Sequence, residues 1–154
     1  MEDKSYSSVT VAKYLYLVAK EKNISLNITQ IQKLLYILYG YWLSKYDYSI
    51  LDETPKAWPY GPVFPKTQNI FKDNINLNDI NNNIFDDINE NNILKDAIYN
   101  IIENYGKTSA KSLTEWSHQK DSPWELTVIL NSGKWNSIIE DNHIKKYFSN
   151  LKVL

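Results

Sequence analysis

Two residue types are absent from this sequence of 154 residues: cysteine and arginine. Without cysteine the chain can form no disulfide, no thiolate zinc site and no cysteine nucleophile. Without arginine it lacks the bidentate guanidinium contacts that recognise phosphate and guanine. The formal net charge is −1, so a general nucleic-acid-binding function is disfavoured.

Long apolar runs are also missing. The longest charge-free apolar run, residues 34–44, lies between Lys33 and Lys45, whereas a membrane helix needs roughly 20 apolar residues. The acidic, polar start is not followed by the apolar stretch of a secretory signal. We therefore expect a single domain over residues 1–154 that acts in the cytoplasm without a membrane partner, since roughly 100–200 residues is the usual size of one domain.

Signatures of catalysis and of bound cofactors are absent as well. The four glycines are far apart, which excludes a P-loop, GxGxxG and GxSxG, and the two histidines, His118 and His143, have no zinc-ligand spacing. His118 with Glu115 or Asp121 offers a general base for a hydrolase. The simpler interpretation, which we favour, is a histidine that hydrogen-bonds to backbone and locks two helices. The sequence predicts no cofactor, no metal and no enzymatic activity.

What is present is helical periodicity. Apolar residues recur at three- and four-residue spacing in most of the chain, which predicts a mainly α, single compact domain of six or seven helices. The helix that carries residues 31–42 is apolar nearly all round, so we expect it at the centre of the core. Residues 49–51 and 56–58 allow a small β-hairpin across residues 52–55. An asparagine-rich segment at about 74–92 reads as a long loop with one weak helical turn.

The most unusual segment is a proline loop, residues 58–65, with three prolines and one glycine. Each proline fixes its own φ and restrains the preceding residue, so the loop is stiff. Aromatic residues cluster in and before it: Tyr36, Tyr39, Trp42, Trp58 and Tyr60. Because tyrosine and tryptophan are enriched at interfaces, two interpretations stay open. The rings either fill the core around the loop or form a contact surface for a partner.

The motifs in and around this loop resemble the SocA-like antitoxins, also called the Panacea domain, a family widespread in bacteria and their prophages. Gln32-Lys33-Leu34-Leu35-Tyr36 matches the family's "QKLLY" helix, and Ala57 through Pro65 matches its "aW-x-yGPV-x-P" loop. Leu113, His118 and Trp124 match a later "L-x(4)-H-x(5)-W" element. Residues 11–15 and 144–148 match an opening and a final helix. The asparagine-rich segment and the lack of arginine depart from the family pattern.

The resemblance implies a mostly helical antitoxin that neutralises a protein toxin by direct contact. An alternative that it also implies is a prophage-encoded adaptor that delivers a partner to an AAA+ protease. The toxin and the oligomeric state are not indicated, and nucleic acid is disfavoured as a partner. The candidate partner-binding or motif residues are Lys33, Tyr36, Tyr39, Trp42, Trp58, Tyr60, Gly61, Pro62, Val63, Pro65, Trp116, His118 and Trp124.

Overall fold

The computed structural model describes residues 3–73 and 83–151. In these residues it contains eight α-helices and three short β-strands. In chain order they are α1 (Ser8–Glu21), α2 (Ile28–Tyr46), β1 (Lys56–Trp58), β2 (Gly61–Val63), α3 (Pro65–Phe71), α4 (Asp86–Asn89), α5 (Asn92–Tyr105), α6 (Ala110–Ser117), α7 (Pro123–Leu130), β3 (Ser137–Ile138) and α8 (Asp141–Ser149). The mainly helical single-domain fold is as the sequence predicted, and the one helix beyond the expected number is the single turn of α4.

Helix α2 is the centre of the fold, as its apolar sequence predicts. Every residue from Ile31 to Gly40 is buried, and α1, α3, α5, α6, α8 and β2 all pack against this helix. Its start is fixed locally by a capping box: the Gln30 backbone N–H donates to Asn27 Oδ1 over 2.8 Å, and the Asn27 N–H donates to Gln30 Oε1 over 2.9 Å. A helix that is apolar on all sides is stable only when other elements surround it.

Helices α2 and α8 pack closely at Gly40. A Cβ atom at this position would lie 2.3 Å from the ring of Phe148. The absence of a side chain at Gly40 therefore lets the Phe148 ring rest directly on the backbone of α2. The same ring makes an edge contact with Tyr36, with 5.5 Å between the centroids.

The sheet is antiparallel with strand order β2-β1-β3, and the predicted hairpin across residues 52–55 is wrong. Strand β1 pairs instead with the following segment, with Trp58 opposite Gly61. The backbone of residues 50–52 bonds to the N-terminal segment: Tyr6 N–H donates to Ile50 O over 2.7 Å, and Asp52 N–H to Tyr6 O over 2.9 Å. The physical reason is that Gly61 adopts φ +112°, which allows a tight turn immediately after β1.

The asparagine-rich segment expected at about 74–92 is described only in part, because residues 74–82 lie outside the described residues. From residue 83 onward the chain forms α4, where Ile88 is buried, and α5 begins at Asn92. Within the described ranges, none of the helices combines the length and apolarity needed to cross a membrane.

Candidate functional site

Two neighbouring residues of α2 hold the second half of the proline loop. The buried Gln32 side chain binds the backbone of Phe64 in both directions: its Nε2 donates to the Phe64 carbonyl over 3.1 Å, and the Phe64 N–H donates to its Oε1 over 2.8 Å. Lys33 Nζ donates to the carbonyl of Pro62 over 3.5 Å. The Gln and Lys side chains of the "QK" motif therefore hydrogen-bond to the loop backbone and do not project into solvent.

The first half of the loop is held from the other side by α7. Trp124 Nε1 donates to the carbonyl of Trp58 over 2.8 Å. The backbone of Tyr60 also acts on the His118 imidazole, in the direction that raises its pKa.

Together these hydrogen bonds hold the backbone of residues 58, 62 and 64. The loop is thus fixed on two sides by residues that are distant in sequence. This arrangement gives a physical reason for the spacing of the "QK" and "W" elements of the sequence.

Gly61 is the residue that brings the loop so close to α2. Its φ is +112°, and a Cβ there would lie 2.7 Å from Ser117 Oγ and 2.9 Å from Lys33 Cε. Both the backbone conformation and the lack of space require glycine. Pro62 and Val63, which follow it, are buried, and Pro65 is the first residue of α3.

Among the residues that the structure describes, Lys33 is a buried cation without a carboxylate partner. It is 1% exposed, and none of the ion pairs found among the described residues includes it. Burial lowers the pKa of its ammonium group from 10.5 to about 8, because the low-dielectric interior disfavours the charged form.

His118 lies at the C-terminal end of α6 and stacks on the indole of Trp124, with 3.8 Å between ring centroids and 10° between planes. Burial, and secondly the charge of Lys33, lowers the pKa of the imidazole. Its Nε2 has no hydrogen-bond partner within the described part of the chain. Neither Glu115 nor Asp121 is among the groups that shift the pKa of the ring. The stacking of His118 on Trp124 fits the locking role.

The three aromatic candidate residues on α2 are interior. Tyr36 is 1% exposed, and Tyr39 and Trp42 are 0% exposed. Tyr39 donates a hydrogen bond to Asp141 Oδ1 over 2.6 Å, which ties α2 to the start of α8. Half-buried Trp116 lies against Tyr36 with 6.0 Å between ring centroids. Of the two interpretations left open by the sequence, burial favours the core for these rings.

Four other aromatic side chains lie in the proline loop or beside it. We call these residues, Trp58, Tyr60, Trp124 and Trp135, the aromatic surface. Tyr60 is 74% exposed and Trp135 is 50% exposed. The Trp124 and Trp135 rings stack with 6.4 Å between centroids, and Trp58 Nε1 donates to Asn136 Oδ1 over 3.0 Å. These contacts therefore link Trp58, Trp124 and Trp135 from the loop to the segment before β3.

Trp135 is the residue that sequence reasoning missed. It belongs to no motif, and its one signal in the sequence is an isolated tryptophan in a polar stretch. Apolar side chains on α7 and β3 are also highly exposed: Ile129, Leu130 and Ile138. The exposed apolar surface therefore extends beyond the loop that the motif covers.

Comparison with known proteins gives one match. Residues 31–125 fit the family model described as "Antitoxin SocA-like, Panacea domain", which covers more than half of the chain. No curated protein and no solved structure matches significantly. The matched span contains all thirteen candidate residues, from Lys33 to Trp124, whereas Trp135 lies outside it.

Proposed function

The chain belongs to the family of SocA-like antitoxins with a Panacea domain, and from this premise we propose that it neutralises a protein toxin by direct contact in the cytoplasm. The observation that carries the proposal is the family match over residues 31–125. The matched span includes both the proline loop and the residues that hold its backbone.

We assign the contact to the aromatic surface. Tyrosine and tryptophan bury large areas on binding and keep a polar group for a hydrogen bond, which makes them frequent hot spots. Tyr60 projects from a loop whose backbone is already fixed, so binding it costs little conformational entropy. The exposed apolar residues Ile129, Leu130 and Ile138 would extend the contact beyond Trp135.

A co-expression rescue tests the proposal. Each open reading frame beside this gene is induced alone and together with this chain, and growth is scored. A toxic neighbour that the chain rescues and co-purifies with supports neutralisation by contact. A rescued toxin that is instead degraded in the cell would replace contact by the adaptor mechanism. No toxic neighbour, or toxicity that is not relieved, contradicts the proposal.

The contact surface is tested separately with Tyr60→Ala and Trp135→Ala. The matched control is Tyr99→Ala, a 38% exposed tyrosine on α5. Loss of a hot-spot residue costs roughly 2 kcal/mol or more, so each surface variant should weaken toxin binding by about 30-fold while the control binds normally. Wild-type affinity in both surface variants would place the contact elsewhere without affecting the antitoxin role.

A further inference from the structure

Strand β3 is an edge strand whose outer side faces solvent. The sheet order is β2-β1-β3, so in the part of the chain that the structure describes β3 pairs with β1 on one side only. The Ile139 N–H donates to the Pro55 carbonyl over 3.0 Å, which shows that the backbone at 139 faces β1. Because neighbouring residues of an antiparallel ladder direct their backbone groups to opposite sides, the N–H and carbonyl of Ile138 point away from β1.

The opposite edge of the sheet is protected in two ways that β3 lacks. Strand β2 contains Pro62, which has no N–H, and helices α2 and α6 pack against it. Strand β3 consists of Ser137 and Ile138, without proline or charge, and the Ile138 side chain is 54% exposed. Proteins block a free edge with proline, with a charged side chain or with a covering element, and an edge without these can pair with another strand.

The charges beside β3 fit a second copy of the same strand. Lys134 precedes the strand and Glu140 follows it, and both are exposed. Neither takes part in the ion pairs found among the described residues. When two identical strands pair antiparallel, the segment before the strand in one copy lies beside the segment after it in the other. Lys134 of each copy then approaches Glu140 of the other copy, so opposite charges meet at both ends of the contact.

We propose that the chain forms a two-fold symmetric dimer in which β3 pairs antiparallel with β3 of a second copy. Ile138 of one copy faces Ile138 of the other, because an outward residue exchanges both backbone hydrogen bonds with the residue opposite. The shared strand is two residues long, so the dimer belongs to the weak, concentration-dependent class. Ile138 also lies at the margin of the proposed toxin contact, so the second copy and a bound toxin would compete for this residue.

Sedimentation velocity of the full chain tests the dimer. Because a small interface is weak, the protein concentration is varied from about 10 μM to about 1 mM, and the wild type should shift from monomer towards dimer. Ile138→Lys and Ile138→Glu each place two like charges opposite one another, so the dissociation constant of each variant alone should rise at least about tenfold. An equimolar mixture of the two variants places opposite charges together and should associate about tenfold more tightly than either variant alone.

The matched controls are Ile70→Lys and Ile70→Glu. Ile70 lies on α3 and is 55% exposed, so these variants add the same charges to an equally exposed isoleucine outside the sheet. They should associate as the wild type does, both alone and mixed.

Hydrogen exchange of the wild type, followed by NMR, gives a second measurement that needs no variant. The outward Ile138 amide gains an acceptor only in the dimer, so its exchange should slow as the protein concentration rises. The Ile139 amide is the internal reference, because it donates to Pro55 in the single chain as well. Its exchange should not depend on concentration.

A chain that stays monomeric over the whole range overturns the proposal and leaves the β3 edge to a strand of another protein. Dimerisation that both Ile138 variants leave unchanged, a mixture that associates no better than its components, or exchange at Ile138 that does not slow would place the interface elsewhere and overturn it too. A chain that dimerises through β3 but relieves no toxin would support the dimer and contradict the proposed function, so the two failures are distinguishable.

Discussion

Replacing Lys33 by methionine should change how the stability of this protein depends on pH. In the native state the Lys33 ammonium group has a pKa of about 8 because it is buried, against an ordinary value of 10.5. Below pH 8 both the native and the unfolded chain carry the proton. Between about 8 and 10.5 the unfolded chain binds more protons than the native one, so the free energy of unfolding rises with pH.

The magnitude follows from the two pKa values. Between about pH 7 and about pH 9.5 the wild type should gain about 2 kcal/mol relative to Lys33→Met, from linkage at 1.36 kcal/mol per pKa unit. Below pH 8 the wild type carries the full cost of a buried cation without a counter-ion, and Lys33→Met does not. Methionine keeps a long apolar stem, so the packing under the loop is preserved.

Urea denaturation of both proteins at the two pH values measures this difference. All other titrating groups are common to both chains, so their effects cancel in the comparison. Lys107→Met, at an exposed lysine, is the control and should differ from wild type by the same amount at both pH values. A wild-type–Lys33→Met difference that changes by less than about 0.5 kcal/mol would refute the argument that Lys33 is a buried, uncompensated cation.

Three further substitutions test the packing of the site by chemical denaturation. Gly61→Ala should lower the free energy of unfolding by about 3 kcal/mol or more, because it adds a steric clash to a strained φ. Gly133→Ala, with φ +74° and nothing within 4 Å of the added Cβ, should lose only the backbone strain of about 1–3 kcal/mol. Equal losses in the two variants would contradict the clash at Gly61. Gln32→Ala leaves the N–H and the carbonyl of Phe64 unpaired, and each should lower the free energy of unfolding by roughly 1–3 kcal/mol. An unchanged denaturation midpoint would show that water replaces the side chain. Gly40→Ala should destabilise by about 1–3 kcal/mol and be partly rescued by Phe148→Leu, and absence of rescue would mean that the ring does not limit the α2–α8 approach.

The helices could be predicted from sequence because their signals act within a few residues. Asn27 and Gln30 form the capping box that their spacing indicates, and Ser122 accepts from the Glu125 N–H with proline at the first helical position. The apolar residues of α2 also specify that this helix is buried. The hairpin across residues 52–55 could not be placed correctly, because strand pairing depends on which distant segments meet. The sequence near residues 49–51 does not show that this backbone pairs with Tyr6.

By itself, the sequence determined the mainly helical fold, the central position of α2, the stiffness of the proline loop and membership of the antitoxin family. Only the tertiary structure decided which side chains hold the loop and which are exposed. Gln32 and Phe64 are 32 residues apart, and Trp124 and Trp58 are 66 apart, so their hydrogen bonds exist only once α2, α6 and α7 have packed. The exposure of Trp135 has the same origin, because a tryptophan is buried or displayed according to the elements that pack around it, and its own neighbours in the chain do not contain that information.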